Sequence, residues 1–306
     1  MQPPTSGRQF TIASGDYVAE VASVGASLRA LRFGGRDVVL PYEPDDLRPR
    51  FRGAVLAPWP NRIARGAWTW AGDVLQLPIT EPERGHALHG LVAWLDWEEV
   101  TRSERHVALT TTVVPQPGYP FRLALTVTWT VDDRGLECRL VAENTGSEVA
   151  PYGCSIHPYL IAPSGDLDSW SMHLATASEL LVDDTLIPTE LVPILPEHDF
   201  RAPRAIGRTQ IDHAFTGVTF DGPEPQTATV VDADGDGARV VFGPSTPWVQ
   251  VCTSDWPGLP GHRRGVAVEP MTCPPNAFVS HADVIAIQPG ADHTTWWRLE
   301  AVGGHP

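Results

Sequence analysis

The 306-residue chain is 42% hydrophobic, enough to build a core without disulfide or metal staples, and no apolar run approaches the roughly 18 residues of a membrane helix. With 37 acidic against 22 basic residues and a formal charge of -15, it repels nucleic acid and anionic membranes; no lysine is present, which removes Schiff-base and P-loop lysine chemistry. Thirty Pro and 27 Gly exclude a helix bundle and point to many short elements joined by turns.

In chain order, residues 1–15 lack both a basic and an apolar leader segment, which with unpaired cysteines predicts a cytoplasmic setting. Strands or hairpins are expected over residues 18–33, 68–77 and 94–109. The clearest signal spans 121–131, where Phe121, Leu123, Leu125, Val127, Trp129 and Val131 alternate with small or polar residues. Asp132-Asp133-Arg134-Gly135 then turns the chain into Leu136, Cys138 and Leu140, completing a hairpin. A further hairpin is expected over 228–242, a helical turn or two over 276–281, and a strand over 296–302. Residues 41–52 and 193–207 read as long surface loops. Strand follows strand without βα alternation, so the expected fold is all-β, a large antiparallel β-sandwich, with residues 1–306 forming one domain.

Several motifs fail their own chemistry. Asp232-Ala233-Asp234-Gly235-Asp236-Gly237 starts like a calcium loop, but Gly243 stands where a bidentate Glu is required, so a hairpin turn is expected. His86 and His89 lack a third ligand at metal spacing, and Cys138, Cys154, Cys252 and Cys273 show no zinc-ribbon pattern and read as reduced thiols. Ser155 has no nucleophile-elbow context.

Five segments instead place charged or imidazole side chains beside apolar neighbours at strand ends: Asn61-Arg62-Ile63, His86 to Gly90, Ser155 to Tyr159, Ile211 to Phe215, and Val266 to Pro270. Glu269 ends an apolar strand, where a buried carboxylate serves either as a base with a tuned pKa or as the partner of Arg263 or Arg264. His157, fixed before Pro158, is a candidate acid, and Tyr159 is a candidate either to contact a ligand or, through its hydroxyl, to support His157.

Taken in order, Pro58-Trp59-Pro60-Asn61-Arg62-Ile63, Leu88-His89-Gly90, His157-Pro158-Tyr159, Asp212-His213-Ala214-Phe215 and Glu269-Pro270-Met271-Thr272-Cys273 with Asn276-Ala277-Phe278 resemble the aldose 1-epimerase (mutarotase) family over about residues 10–302. The resemblance implies a galactose mutarotase-like supersandwich with an open sugar cleft, a small aldose as partner and no cofactor or metal. It also implies Glu269 as general base, His157 as general acid, His89 as a second active-site histidine, and Arg62 and Asp212 as sugar-holding residues, with Asn61 beside them. Trp59, Trp248 and Phe278 are candidates to stack on a sugar face. Two alternatives share these residues. A hexose-6-phosphate 1-epimerase would need an arginine cluster from Arg62, Arg65, Arg263 and Arg264, whereas a non-catalytic carbohydrate-binding protein would not need a matched acid and base.

Overall fold

A computed structural model describes residues 3–220 and 224–304; Met1 and Gln2 of the N-terminal segment read above lie outside them. Its centre is a nine-stranded antiparallel sheet in the order Glu98–Arg102, His106–Val113, Leu123–Asp132, Gly135–Asn144, Asp292–Val302, Gly237–Phe242, Gln226–Val231, Ser171–Leu174 and Arg204–Ala205. The alternation that predicts the strand over 121–131 decides which face is covered: Leu123, Leu125, Val127, Trp129 and Val131 are buried, and the residues between them are not. Registration continues the apolar face across the sheet, with Trp129 opposite Cys138, Cys138 opposite Trp297, and Trp297 opposite Phe242.

Two smaller sheets cover that face. A four-stranded sheet of Gln9–Ser14, Tyr17–Ala22, Ser27–Phe33 and Arg36–Asp37 is tied down where the Trp129 indole N–H donates to the Ala26 carbonyl at 3.0 Å. A six-stranded sheet runs Tyr159–Leu160, Val266–Met271, Trp248–Cys252, Asp212–Thr216, Ser178–Val182 and Pro188–Pro193. Trp297 Nε1 reaches it by donating to the Pro270 carbonyl at 2.9 Å. Side chains from all three sheets form one continuous core, so the expected antiparallel sandwich is present.

The sequence-predicted hairpins form around their expected turns. In the 228–242 pair, Asp232 Oδ1 accepts the backbone N–H groups of Asp234 and Asp236, and its Oδ2 accepts the Ser164 hydroxyl at 2.8 Å. These acceptors close a turn rather than a calcium loop. The helical segment is one turn, Ala277–Ser280, and all four cysteines are free.

Three expectations need correction. Trp94 and Leu95 lie in a turn, not a strand, because the Leu95 carbonyl is used by Gly25 N–H at 2.7 Å. Residues 41–52 are not a simple surface loop: Tyr42, Arg48 and Arg52 are buried, and Arg48 donates to the carbonyls of Val24 and Ala93. Residues 193–207 likewise bury His198 and Phe200. Among the described residues, no helix is long and apolar enough to cross a membrane.

Candidate active site

The strand Val266–Met271 is buried throughout, yet its two faces differ. Val266 and Val268 point into the shared core, and period two sends Glu269 to the opposite face. There it lies level with Gln250 on the neighbouring strand, and Gln250 Nε2 donates to Asp212 Oδ1 at 2.8 Å on the strand beyond. Three adjacent strands thus lay Glu269, Gln250 and Asp212 along the floor of a cleft of about 230 Å³. Its walls include Arg50, Phe51, Asn61, Arg62, His89 and Trp256.

Pro270 stiffens the end of the Glu269 strand. Its carbonyl accepts both the Ser155 hydroxyl at 3.0 Å and the Trp297 indole N–H at 2.9 Å, so both lone pairs are used. Ser155 is therefore occupied as a structural donor.

His157 is held by its backbone. Its N–H donates to Ala54 at 3.0 Å and its carbonyl accepts Gly53 N–H at 2.7 Å. The imidazole then lies with Nε2 3.3 Å from Glu269 Oε1, both side chains being almost fully buried. Glu269 Oε2, His157 Nδ1 and Gln250 Oε1 are buried without hydrogen-bond partners. Such atoms are costly unless something else satisfies them, and here they border a cavity.

Burial dominates the electrostatics. It pushes the Glu269 carboxyl well above its ordinary range, reinforced by the charge of Asp212 and opposed by Arg62, and lowers the His157 imidazole to about 3, opposed by a hydrogen bond to its own backbone and reinforced by Arg48 and Arg52. Both shifts favour uncharged forms. Asp212 is also raised by burial, opposed by Arg62 and the Gln250 hydrogen bond.

On the opposite wall, Asn61 and His89 both adopt left-handed backbone conformations, with φ of 54° and 59°. They face each other through two contacts: His89 N–H donates to the Asn61 carbonyl at 2.9 Å, and Asn61 N–H donates to His89 Nδ1 at 3.2 Å. Gly90 must follow, since a Cβ there would sit 2.0 Å from the Ala57 carbonyl oxygen. A proton accepted at Nδ1 leaves the neutral ring's own proton on Nε2, making His89 a donor toward the cleft. Burial and nearby His157 and Arg62 hold its pKa well below the usual value, so it donates while uncharged. The ligand-type atoms of His89, His157 and Glu269 fall within 4.8 Å of one another. A cation does not fit this set as it stands, because a protonated Nε2 has no lone pair to give.

Arg62 is clamped by Glu81, its Nε and Nη2 donating to the two carboxylate oxygens at 2.8 and 2.9 Å, and Arg84 donates to the same carboxylate. This arrangement orients Arg62 and neutralises much of its charge.

The structure thus brings Glu269, His157, His89, Asn61, Arg62 and Asp212 to one cleft. Sequence reasoning missed Glu81, Gln250, Phe51 and Trp256. Gln250 sits in an apolar strand that reads as core, and its cleft-facing parity emerges only from its register with Glu269. Other expectations are overturned. Arg263 pairs with Asp168 and Asp255, leaving Glu269 to His157. Trp59 and Phe278 pack together in the interior and Trp248 donates to Asp283, so none of the three lines the cleft. The Tyr159 hydroxyl donates to the Arg50 carbonyl rather than to His157. His86 accepts Arg65 N–H and is not in the cleft lining.

Comparison with known proteins gives the family and the fold. A family model described as aldose 1-epimerase matches residues 8–300. The uncharacterized protein YihR of Escherichia coli (strain K12) is 36% identical over 300 residues, covering 96% of this chain and 93% of that protein. Galactose mutarotase of Sus scrofa is 26% identical over 322 residues, covering 94% and 93%. A solved GalM/aldose epimerase homologue from C. elegans superposes with a TM-score of 0.83 at 19% identity, covering 97% of this chain and 99% of that one. At that identity, the superposition speaks for the galactose mutarotase-like fold alone.

Proposed function

The chain belongs to the aldose 1-epimerase family, and from that premise we propose that its cleft interconverts the α and β anomers of a free aldose by acid-base ring opening. The observation that carries this reading is the separation of Glu269 Oε1 and His157 Nε2, 3.3 Å, beside unpartnered polar atoms that border an open cleft. The reaction concerns two oxygens on one carbon, the C1 hydroxyl and the ring oxygen O5, so an adjacent base and acid can address both.

Glu269 takes the proton of the C1 hydroxyl as His157 gives one to O5. The C1–O5 bond breaks with its electron pair going to O5, and the hydroxyl becomes the aldehyde carbonyl. Rotation about C1–C2 presents the other carbonyl face, and both transfers reverse. At the open-chain stage Glu269 is protonated and His157 neutral, the forms that burial favours. The desolvation that penalises the charged pair therefore assists ring opening. His89 Nε2–H and the clamped Arg62 supply donors to sugar oxygens, and Asp212 supplies an acceptor.

A free aldose suits the cleft better than a sugar phosphate. The arginine cluster considered above does not form: Arg62 is engaged by Glu81, and Arg263 by Asp168 and Asp255. Among the described residues, Arg50 is the lining guanidinium without a carboxylate partner within 4.0 Å, and it is what a charged substituent would meet. A pure binding role would not require the paired acid and base. We place the protein among those that work on small neutral sugars in the cytoplasm, as one domain over residues 1–306.

Polarimetry of freshly dissolved α-D-glucose, α-D-galactose and their 6-phosphates tests this reading. Decay of optical rotation is expected to accelerate for a free sugar and to return to the buffer rate in folded Glu269→Gln and His157→Asn variants. Acceleration that survives both substitutions overturns the assignment, and faster decay of the 6-phosphates than of the free sugars overturns the substrate class.

A further inference from the structure

A catalytic imidazole is usually aimed by a hydrogen bond on its second nitrogen to another residue, but His157 Nδ1 has no partner outside its own backbone. Aromatic rings flank it instead. Tyr159 stacks on one side, its ring centroid 5.2 Å away at an interplanar angle of 16°, and Phe51 lies 6.5 Å away at 21°. Phe51 also packs 4.6 Å from the His89 ring, and the two imidazoles meet edge to face at 5.2 Å.

The backbone that presents Phe51 is built for the purpose. Arg50 and Phe51 have φ of 48° and 56°, two successive non-glycine residues in the left-handed region. Such strain persists only where surroundings enforce it. Here the Tyr159 hydroxyl holds the Arg50 carbonyl at 3.2 Å, and Gly53 and Ala54 are hydrogen-bonded to the His157 backbone. The same tyrosine that stacks on His157 thus also anchors the segment that carries the opposing ring.

Resting on the epimerase reading above, we infer that Phe51 and Tyr159 are positioning residues, which aim the His157 imidazole at the reacting oxygens by clasping it between aromatic faces in place of a hydrogen bond. The clasp sets Nε2 beside Glu269 Oε1, so the proton that the imidazolium gives leaves from Nε2 at the reacting oxygens. It also keeps water from the ring, in line with the depressed His157 pKa. The charged and titratable groups that face His157 are Glu269, His89, Tyr159, Arg48 and Arg52.

The test uses the full-length protein with Phe51→Leu, Phe51→Ala and the conservative Phe51→Tyr, on whichever aldose the wild type accelerates. Anomer exchange rates give kcat and KM, and nitrogen-15 NMR of the histidine rings gives the His157 tautomer and titration. In Phe51→Leu and Phe51→Ala, kcat is expected to fall about tenfold or more with KM nearly unchanged, as expected when a reacting group is misaimed. His157 should titrate closer to an ordinary imidazole, and Phe51→Tyr should restore both properties. Two outcomes overturn the inference: a rise in KM at unchanged kcat, which would make Phe51 a sugar-contact residue, or a loss of kcat with the His157 titration and tautomer unmoved. Acceleration retained in both His157→Asn and Glu269→Gln would instead overturn the acid-base assignment on which this inference rests, so the two failures are separable.

Discussion

The six-stranded sheet and its flanks contain two buried histidine–glutamate pairs made of the same side chains, and they do different things. His198 Nδ1 and Glu179 Oε2 hydrogen-bond at 2.8 Å, with Glu179 fully buried against Phe215, and neither residue lines the cleft. His157 Nε2 and Glu269 Oε1 stand 3.3 Å apart, each with another polar atom unpartnered, at a cavity wall. The first pair spends its hydrogen bond on holding the strand Ser178–Val182 to the turn Pro196–His198, and although Glu179 Oε1 is also buried without a partner, it does not line the cleft. The second leaves its capacity open to a ligand. Neither residue type nor a buried unpartnered oxygen alone therefore marks a candidate acid-base pair; unspent hydrogen-bonding capacity at a cavity wall does.

The sharpest way to break this comparison is isosteric removal of each carboxylate's charge. Glu269→Gln should reduce catalysed mutarotation by about 10²–10⁴-fold, the range of general acid-base assistance, whereas Glu179→Gln should leave the polarimetric rate near wild type. Deleting the structural carboxylate reverses the ranking in stability: Glu179→Ala should cost about 1–3 kcal/mol in urea unfolding, because His198 is left unpaired in the interior. Smaller again, Glu81→Gln should weaken the clamp on Arg62 and raise KM about tenfold in initial-rate polarimetry with little change in kcat.

The subtlest difference lies in pH. Burial raises the Glu269 pKa, so its contribution to stability is full below its ordinary value of 4.5 and is lost as pH rises through the folded value. The lowered His157 pKa acts oppositely, removing stability as pH falls from 6.5 toward about 3. Glu269→Gln deletes the first dependence and keeps the second. Its stability relative to wild type should therefore increase as pH rises above 4.5 in paired urea titrations. An unchanged difference would mean that Glu269 is ionised in the empty cleft.

Much of this was legible in the sequence because it is written locally. Period-two alternation fixes the strand Leu123–Asp132, and its buried face follows from the same residues. Glu269, His157 and His89 stand out because each interrupts an apolar stretch. What escaped depends on pairing between distant segments. Gln250 faces the cleft only because it sits opposite Glu269, and Glu81 matters only because Arg62 folds back onto it. Phe51 lies in a Pro- and Arg-rich segment with no periodicity, and its role depends on an unusual backbone conformation that no short motif announces.

The Pro270 carbonyl, filled by Ser155 and Trp297, has a mechanical consequence. It ties the Pro270–Met271 peptide bond, one residue beyond Glu269, to Trp297 of the central sheet and to Ser155, so Glu269 stands on the fixed side of the cleft. Any motion that admits a ligand is left to the loop carrying Trp256, because Pro49–Phe51 is itself held by Tyr159 and the His157 backbone; the two meet where Arg50 stacks 4.6 Å over the indole.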